Sequence, residues 1–135
     1  MAVKIALDTN AYADLKKGTR WIREIAEASE IHFPTIVLGE LFYGFACGAC
    51  GDREQKNVRE LKDFLGDPLA KVDVITFEVA RQYGHLKQYL RKHGKPIPDN
   101  DVWIAASCIE NGCTLLTSDK HFDNLPQVRL ARGAD

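Results

Sequence analysis

The 135-residue chain lacks any apolar, uncharged run near the roughly 20 residues that a membrane-spanning helix needs. It has no internal repeat, no low-complexity tract and no linker rich in proline, glycine or serine. The opening Met-Ala-Val-Lys-Ile-Ala-Leu-Asp does not follow the plan of a signal peptide. These absences lead to the expectation of one cytoplasmic domain over residues 1–135. Charge of one sign is also lacking. Lys and Arg total 18 against 19 Asp and Glu, for a net charge of −1, so no global field draws a polyanion. A second CxxC is missing too. Cys47 and Cys50 form one, but Cys108 and Cys113 are spaced differently, which leaves a zinc ribbon unsupported. A redox CxxC normally opens a helix. This one follows an apolar helical run and sits between Gly48 and Gly51, as at a helix end, and it receives no role.

What the chain does have is the make-up of a globular protein, 45% hydrophobic and 27% charged. A chain of this length buries about two-thirds of its unfolded surface and needs no cross-links. Val3 to Leu7 reads as a strand, and Asn10 as the cap of a helix from Ala11. Gly18 ends that helix, and Thr19 caps a second over Arg20–Ser29. Ile31–Phe33 is a brief strand, Thr35–Cys47 an apolar helix, and a charged helix runs from Asp52 to Leu65. Lys71–Ile75 is a strand. Thr76 caps a helix to about His93, and Lys95–Pro98 is extended. A helix from Asp99 or Asn100 to Asn111 stops at Gly112. Cys113–Thr117 is a strand, Ser118–Leu125 a short helix or turn, and Val128–Leu130 a last strand. Strands alternating with helices predict an α/β fold with a mostly parallel central sheet.

Such sheets bind ligands beyond the carboxyl ends of their strands. Asp8 follows the first strand and Asp119 lies just past the Cys113–Thr117 strand. Glu40 shares or borders the apolar face of its helix, where a carboxylate is costly unless paired. Asp101, with Asp99 as a competitor, sits in the first turn of its own helix, where the dipole also favours an acid. Each acid taken singly has a structural explanation. Together they fall where this topology gathers residues at one edge of the sheet. Clustered carboxylates repel unless a cation joins them, and oxygen-only ligands suit Mg²⁺ or Mn²⁺. Between Val79 and Pro98 there are five cations, Arg81, Lys87, Arg91, Lys92 and Lys95, and no acid. That stretch is either a solvated face or a holder of a nucleic-acid backbone, and Lys95 is expected nearest the site.

Five segments resemble the PIN-domain ribonucleases, and among them the small VapC toxins of toxin–antitoxin pairs. They are Leu7-Asp8-Thr9-Asn10, Gly39-Glu40-Leu41, Pro98-Asp99-Asn100-Asp101-Val-Trp-Ile-Ala-Ala106, Leu115-Leu-Thr-Ser-Asp119 and Lys120-His-Phe122. Order, spacing and length agree across nearly the whole chain. The resemblance implies a three-layer, Rossmann-like fold. It implies Asp8, Glu40, Asp101 and Asp119 as catalytic, metal-binding acids, and Thr9, Asn10 and Thr117, with Asp99, as supporting polar residues. It implies Mg²⁺- or Mn²⁺-dependent cleavage of RNA, a cognate antitoxin and a homodimer.

Other readings stay open at this level. A haloacid-dehalogenase-like phosphatase needs Asp-x-Asp where this chain has Asp8-Thr9-Asn10, and a receiver domain needs an acid pair that is missing. A PIN nuclease acting on DNA, or in RNA processing outside a toxin pair, fits the same motifs. A non-catalytic nucleic-acid-binding PIN module would be marked by lost acids, and all four are present. Trp21, Ile22, Ile25, Leu41, Phe42 and Phe45 offer more apolar surface than a small core absorbs, and an interface for a partner is expected among them.

Overall fold

A computed structural model describes residues 2–48 and 51–132. Its elements in chain order are β1 (Lys4–Leu7), α1 (Thr9–Lys16), α2 (Ile22–Glu27), β2 (Glu30–Pro34), α3 (Thr35–Cys47), α4 (Gly51–Leu65), β3 (Ala70–Asp73), α5 (Phe77–Lys92), α6 (Asp99–Asn111), β4 (Thr114–Leu116), a 3₁₀ turn (Lys120–Asn124) and β5 (Leu130–Ala131). The five strands form one parallel sheet in the order β3-β2-β1-β4-β5. Helices cover both faces, which explains why the central strands read as apolar runs rather than as alternating patterns. Ile5, Ala6 and Leu7 of β1 and Leu115 and Leu116 of β4 are all buried.

The strand order reverses at β1. The chain steps outward through β2 and β3, then returns to place β4 on the other side of β1. The carboxyl ends of β1 and β4 therefore flank a topological switch point, where this class of sheet opens a crevice. Register makes the two ends level, because Leu7 pairs with Leu116. Asp8 and Thr117, one residue further along each strand, emerge side by side.

Side-chain packing fixes the layers. Phe33 of β2 meets Tyr12 of α1 and Phe64 of α4 in edge-to-face contacts, with ring centroids 6.0 and 5.6 Å away. By the two-residue period of a strand, its neighbour His32 points to the opposite face. α5 and α6 lie against each other, with Tyr83 stacked on Trp103 at 3.9 Å. Val79, Leu86 and Leu90 form the buried stripe of α5, which leaves its basic residues at the surface.

Several local expectations change. Asp8, not Asn10, caps α1, accepting from the Ala11 N–H at 2.7 Å, so the helix starts at Thr9 and Asn10 is exposed within its first turn. Of two cap-forming residues two positions apart, the one at the strand end caps the helix. The second helix shrinks to Ile22–Glu27 because Trp21 takes a left-handed conformation (φ 72°) that helical continuation forbids. Trp21 is buried, and so is Leu41, which removes both from the expected interface. Ile22 and Phe42 remain exposed, at 55% and 44%, while Ile25 and Phe45 are partly buried against the core. The third strand ends at Asp73, leaving Val74 and Ile75 exposed. The last strand is Leu130–Ala131, later than expected, because β5 follows the register that β4 offers at Leu115 and Leu116. Thr76 and Gly112 perform the predicted cap and stop, Thr76 accepting from Val79 N and Gly112 adopting φ 68°. Of the CxxC pair, Cys47 is exposed and Cys50 lies outside the described residues.

Candidate functional site

Four elements deliver the acids to one edge of the sheet. Asp8 leaves β1, Asp119 follows β4, Asp101 rises from the first turn of α6, and Glu40 projects from α3. A chain of hydrogen bonds ties them together. Thr117 donates its hydroxyl to Asp8 Oδ2, and Thr117 Oγ1 accepts from the Asp119 N–H at 2.9 Å. Asp119 Oδ1 accepts from the His121 N–H at 2.9 Å. His121 Nδ1 then lies 2.9 Å from Asp101 Oδ2 and 3.3 Å from Asp119 Oδ1. Glu40 is held from two sides, by the Thr9 hydroxyl at 2.6 Å and by Asn100 Nδ2 at 3.4 Å. That pairing answers the cost of a carboxylate beside an apolar helix face. An open cleft of about 620 Å³ lies next to it, lined by Thr35, Ile36, Gly39, Glu40, Tyr43 and Asn100.

The electrostatics are set by burial and by repulsion among the acids. Asp8 is buried, and that burial lifts its carboxyl above the ordinary range; the negative charges of Asp119 and Asp101 push the same way, while the Thr117 and Ala11 bonds pull back. Burial is also the main cause lifting Asp101, with Asp119 and Glu40 adding repulsion and His121 opposing it. The His121 imidazole is raised in turn, chiefly by its bond to Asp101. One ligand atom each from Asp101, Asp119 and His121 falls within 4.8 Å of the others. Among the described residues, Asp101 Oδ1 and Asp119 Oδ2 have no hydrogen-bond partner. A set dominated by carboxylate oxygens, two of them destabilised as anions, fits a hard divalent cation.

Known proteins share this sequence family and fold. The PIN domain family model matches residues 5–128. A Rickettsia felis protein named Ribonuclease VapC2 is 30% identical over 132 residues, covering 92% of this chain and 93% of that one. The chain belongs to the PIN-domain family. A crystal structure of VapBC2 from Rickettsia felis bound to a DNA fragment from their promoter has a chain that superimposes with a TM-score of 0.83 at 26% identity, covering 98% of this chain and all of that one, 100%. A VapBC-1 structure from nontypeable Haemophilus influenzae shares the fold, with a TM-score of 0.82 at 22% identity over 96% of this chain and 97% of that chain.

Within this PIN domain the remaining candidate residues divide. Asp99 stays out of the acidic cluster. It accepts from the Lys87 ammonium and from the Tyr83 hydroxyl at 3.2 Å, so it ties α6 to α5. Asn10 makes no hydrogen bond through its side chain among the described residues. Arg81 pairs with Glu78 at 3.2 Å. Arg91, Lys92 and Lys95 are exposed and form no ion pair among the described residues. A separate cavity of about 450 Å³ opens beside them, lined by Lys87, Leu90, Arg91, Gly94, Pro96 and Ile97.

Sequence reasoning missed two participants. His121 was visible only as part of the Lys120-His-Phe122 match and had no assigned role. Arg132 gave no signal at all. Its guanidinium donates to the carbonyls of Asp119 at 2.9 Å and Thr117 at 3.3 Å and pairs with Asp123, which pins the loop carrying Asp119.

Proposed function

We propose that this PIN domain is a metal-dependent endoribonuclease, the toxin of a VapBC-type toxin–antitoxin pair. The observation that carries the reading is the convergence of Asp8, Glu40, Asp101 and Asp119 at the β1–β4 switch point of a chain in this family. Asp8 and Asp101 would be the primary ligands of Mg²⁺ or Mn²⁺, with Glu40 and Asp119 acting directly or through water. When bound, such a cation neutralises the scissile phosphate and makes water acidic enough to attack it. No serine, cysteine or histidine of the site is needed as a covalent nucleophile.

The chain's own residues prepare that chemistry. Thr117 and the start of α1 hold the Asp8 carboxylate in one orientation before any substrate arrives. Thr9 and Asn100 aim Glu40, and Arg132 holds the Asp119 loop. Asp99 supports the site from its margin by anchoring the start of α6 to α5, and the exposed Asn10 would act only by meeting the substrate. Arg91, Lys92 and Lys95, with the partly paired Arg81 and Lys87, would hold the RNA backbone through sequence-blind phosphate contacts.

The relatives support an antitoxin partner. Both solved neighbours are VapBC assemblies by name. A cognate antitoxin segment, by placing a basic side chain among the four acids, would compete with the cation by charge pairing. A homodimer would cover the exposed Ile22 or Phe42 surface. The chain has no helix long and apolar enough to cross a membrane among its described residues, and a cytoplasmic location is part of this proposal.

The deciding experiment incubates the pure protein with total RNA and Mg²⁺ or Mn²⁺ and maps the new 5′ ends. Discrete cuts that vanish with EDTA and in Asp8→Asn support the reading. Asp8→Asn cutting at the wild-type rate, with and without EDTA, overturns it.

A further inference from the structure

A second group of ligating side chains lies away from the acidic cluster, and the nuclease reading does not use it. His32 of β2, Asp73 at the end of β3 and Cys113 at the entrance to β4 each bring one ligand atom to within 4.8 Å of the other two. Cys113 enters β4 at its amino end, whereas the acidic site stands at the carboxyl end of the same strand. The His32 and Asp73 side chains are only 7% and 10% exposed, and Cys113 is buried at 3%.

The arrangement has two shells. His32 Nε2 lies 2.8 Å from Glu30 Oε1, and Nδ1 faces the Asp73 carboxylate at 2.7 and 3.0 Å. Both ring nitrogens are thus held by carboxylates, Glu30 on Nε2 and Asp73 on Nδ1, and a carboxylate behind the ring is how metal-binding histidines are oriented. Glu30 fixes the ring plane, and a cation would take the place of the hydrogen shared between Nδ1 and Asp73, with both as ligands. Cys113 adds a sulfur whose one hydrogen bond is long, 3.7 Å to the Asn111 carbonyl. The thiol is pushed up to about 12 by burial and by the charge of Asp73, so on its own it stays protonated. Burial lifts the Asp73 carboxyl as well. Three buried side chains from separate parts of the sheet, a nitrogen, an oxygen and a sulfur donor, converge on one spot.

We propose that His32, Asp73 and Cys113 form a second site, for a soft divalent cation of the zinc class, with Glu30 orienting the histidine. One nitrogen, one oxygen and one sulfur select against Mg²⁺, which takes oxygen ligands and keeps its water. Bond lengths of about 2.0 to 2.3 Å set tetrahedral donors roughly 3.3 to 3.7 Å apart. The observed envelope allows that, and the Nδ1–Asp73 edge is the one that opens, by rotation of the carboxylate. Binding releases the thiol proton and any proton on Nδ1, and no atom is oxidised or reduced. A filled site would tie β2, β3 and β4 together through a metal instead of through hydrogen bonds alone. This proposal is independent of RNA cleavage.

The test uses Co²⁺ as the probe, because a Co²⁺–thiolate bond gives a near-ultraviolet charge-transfer band. The chain is stripped with chelator and carries Cys47→Ser and Cys50→Ser, so that the CxxC contributes no thiolate. The expected result is a band that saturates at one equivalent, survives excess Mg²⁺ and is bleached by Zn²⁺. Cys113→Ser should remove the band, His32→Gln should weaken binding at least tenfold, and Asp101→Asn should leave it unchanged. Zn²⁺ should raise the melting temperature of the parent and not of Cys113→Ser, a near-isosteric change that keeps the fold. No band in the parent, a band that persists in Cys113→Ser, or one lost in Asp101→Asn each overturns the assignment.

Discussion

One hydroxyl joins two acids in this protein: Thr117 Oγ1 donates to Asp8 Oδ2 and accepts from the Asp119 N–H. Thr117 is fully buried, and its strand is level with that of Asp8. Losing the hydroxyl at constant shape leaves a buried donor and a buried acceptor unpaired. Thr117→Val should therefore lower stability by about 1–3 kcal/mol. RNA cleavage should fall by more than the unfolded fraction explains, while Thr117→Ser keeps both. Melting curves and cleavage rates on the same samples separate the two effects, and wild-type cleavage by folded Thr117→Val would show that Asp8 needs no such orientation.

Asp8→Asn should abolish cleavage and leave the fold intact. Asn is as good a helix cap as Asp, so α1 keeps its start. Circular dichroism and a melting curve check the fold, and mapped RNA ends check the activity.

The same variant exposes a pH effect. Asp8 and Asp101 have carboxyls raised in the folded chain, first by burial. A raised acid binds its proton more tightly folded than unfolded. Its contribution to stability is complete below the unfolded value, about 4, and is lost as the pH rises through the folded one. Metal-free wild type should accordingly gain stability relative to Asp8→Asn as the pH is lowered from neutral through that window. Other acids, such as the Lys16-paired Glu60, are common to both chains and cancel in the difference. A gap that moves the other way on acidification contradicts the burial argument.

Replacing Lys92 and Lys95 with Ala should weaken binding to every RNA tested. If each contacts one phosphate, the slope of log K against log salt should flatten by about 0.7 per residue for single strands. Lys87→Ala should also lower stability, because Lys87 holds Asp99 at the start of α6. A salt slope unchanged in the Lys92/Lys95 variant assigns those residues to a solvated face.

Trp21 should be shielded from a fluorescence quencher in the isolated chain, with or without an antitoxin, because it is already 3% exposed. Self-association then falls to Ile22 and Phe42. Sedimentation at tens of micromolar should give a dimer for the wild type. A Phe42→Glu, Ile22→Glu double variant should be monomeric, and a wild-type monomer at that concentration would remove the dimer.

The order of strands and helices, the parallel class of the sheet and the helix stops at Gly112 and Gly18 are written in local pattern. Apolar runs, caps and left-handed glycines act over a few residues, so a linear reading reaches them. The acids at strand ends were legible for the same reason, since a carboxylate next to a strand terminus is placed by topology. Tertiary structure alone decided the rest. Only register levels Thr117 with Asp8. Only the crossing of α3 over α6 brings Asn100 to Glu40, and only the return of β5 lays Arg132 against the Asp119 carbonyl. Trp21 looked like helix surface, yet its burial depends on the packing of elements far apart in the chain. Glu30, His32 and Asp73 sit on two strands and Cys113 just before a third, and their meeting follows from strand order, which no local spacing encodes.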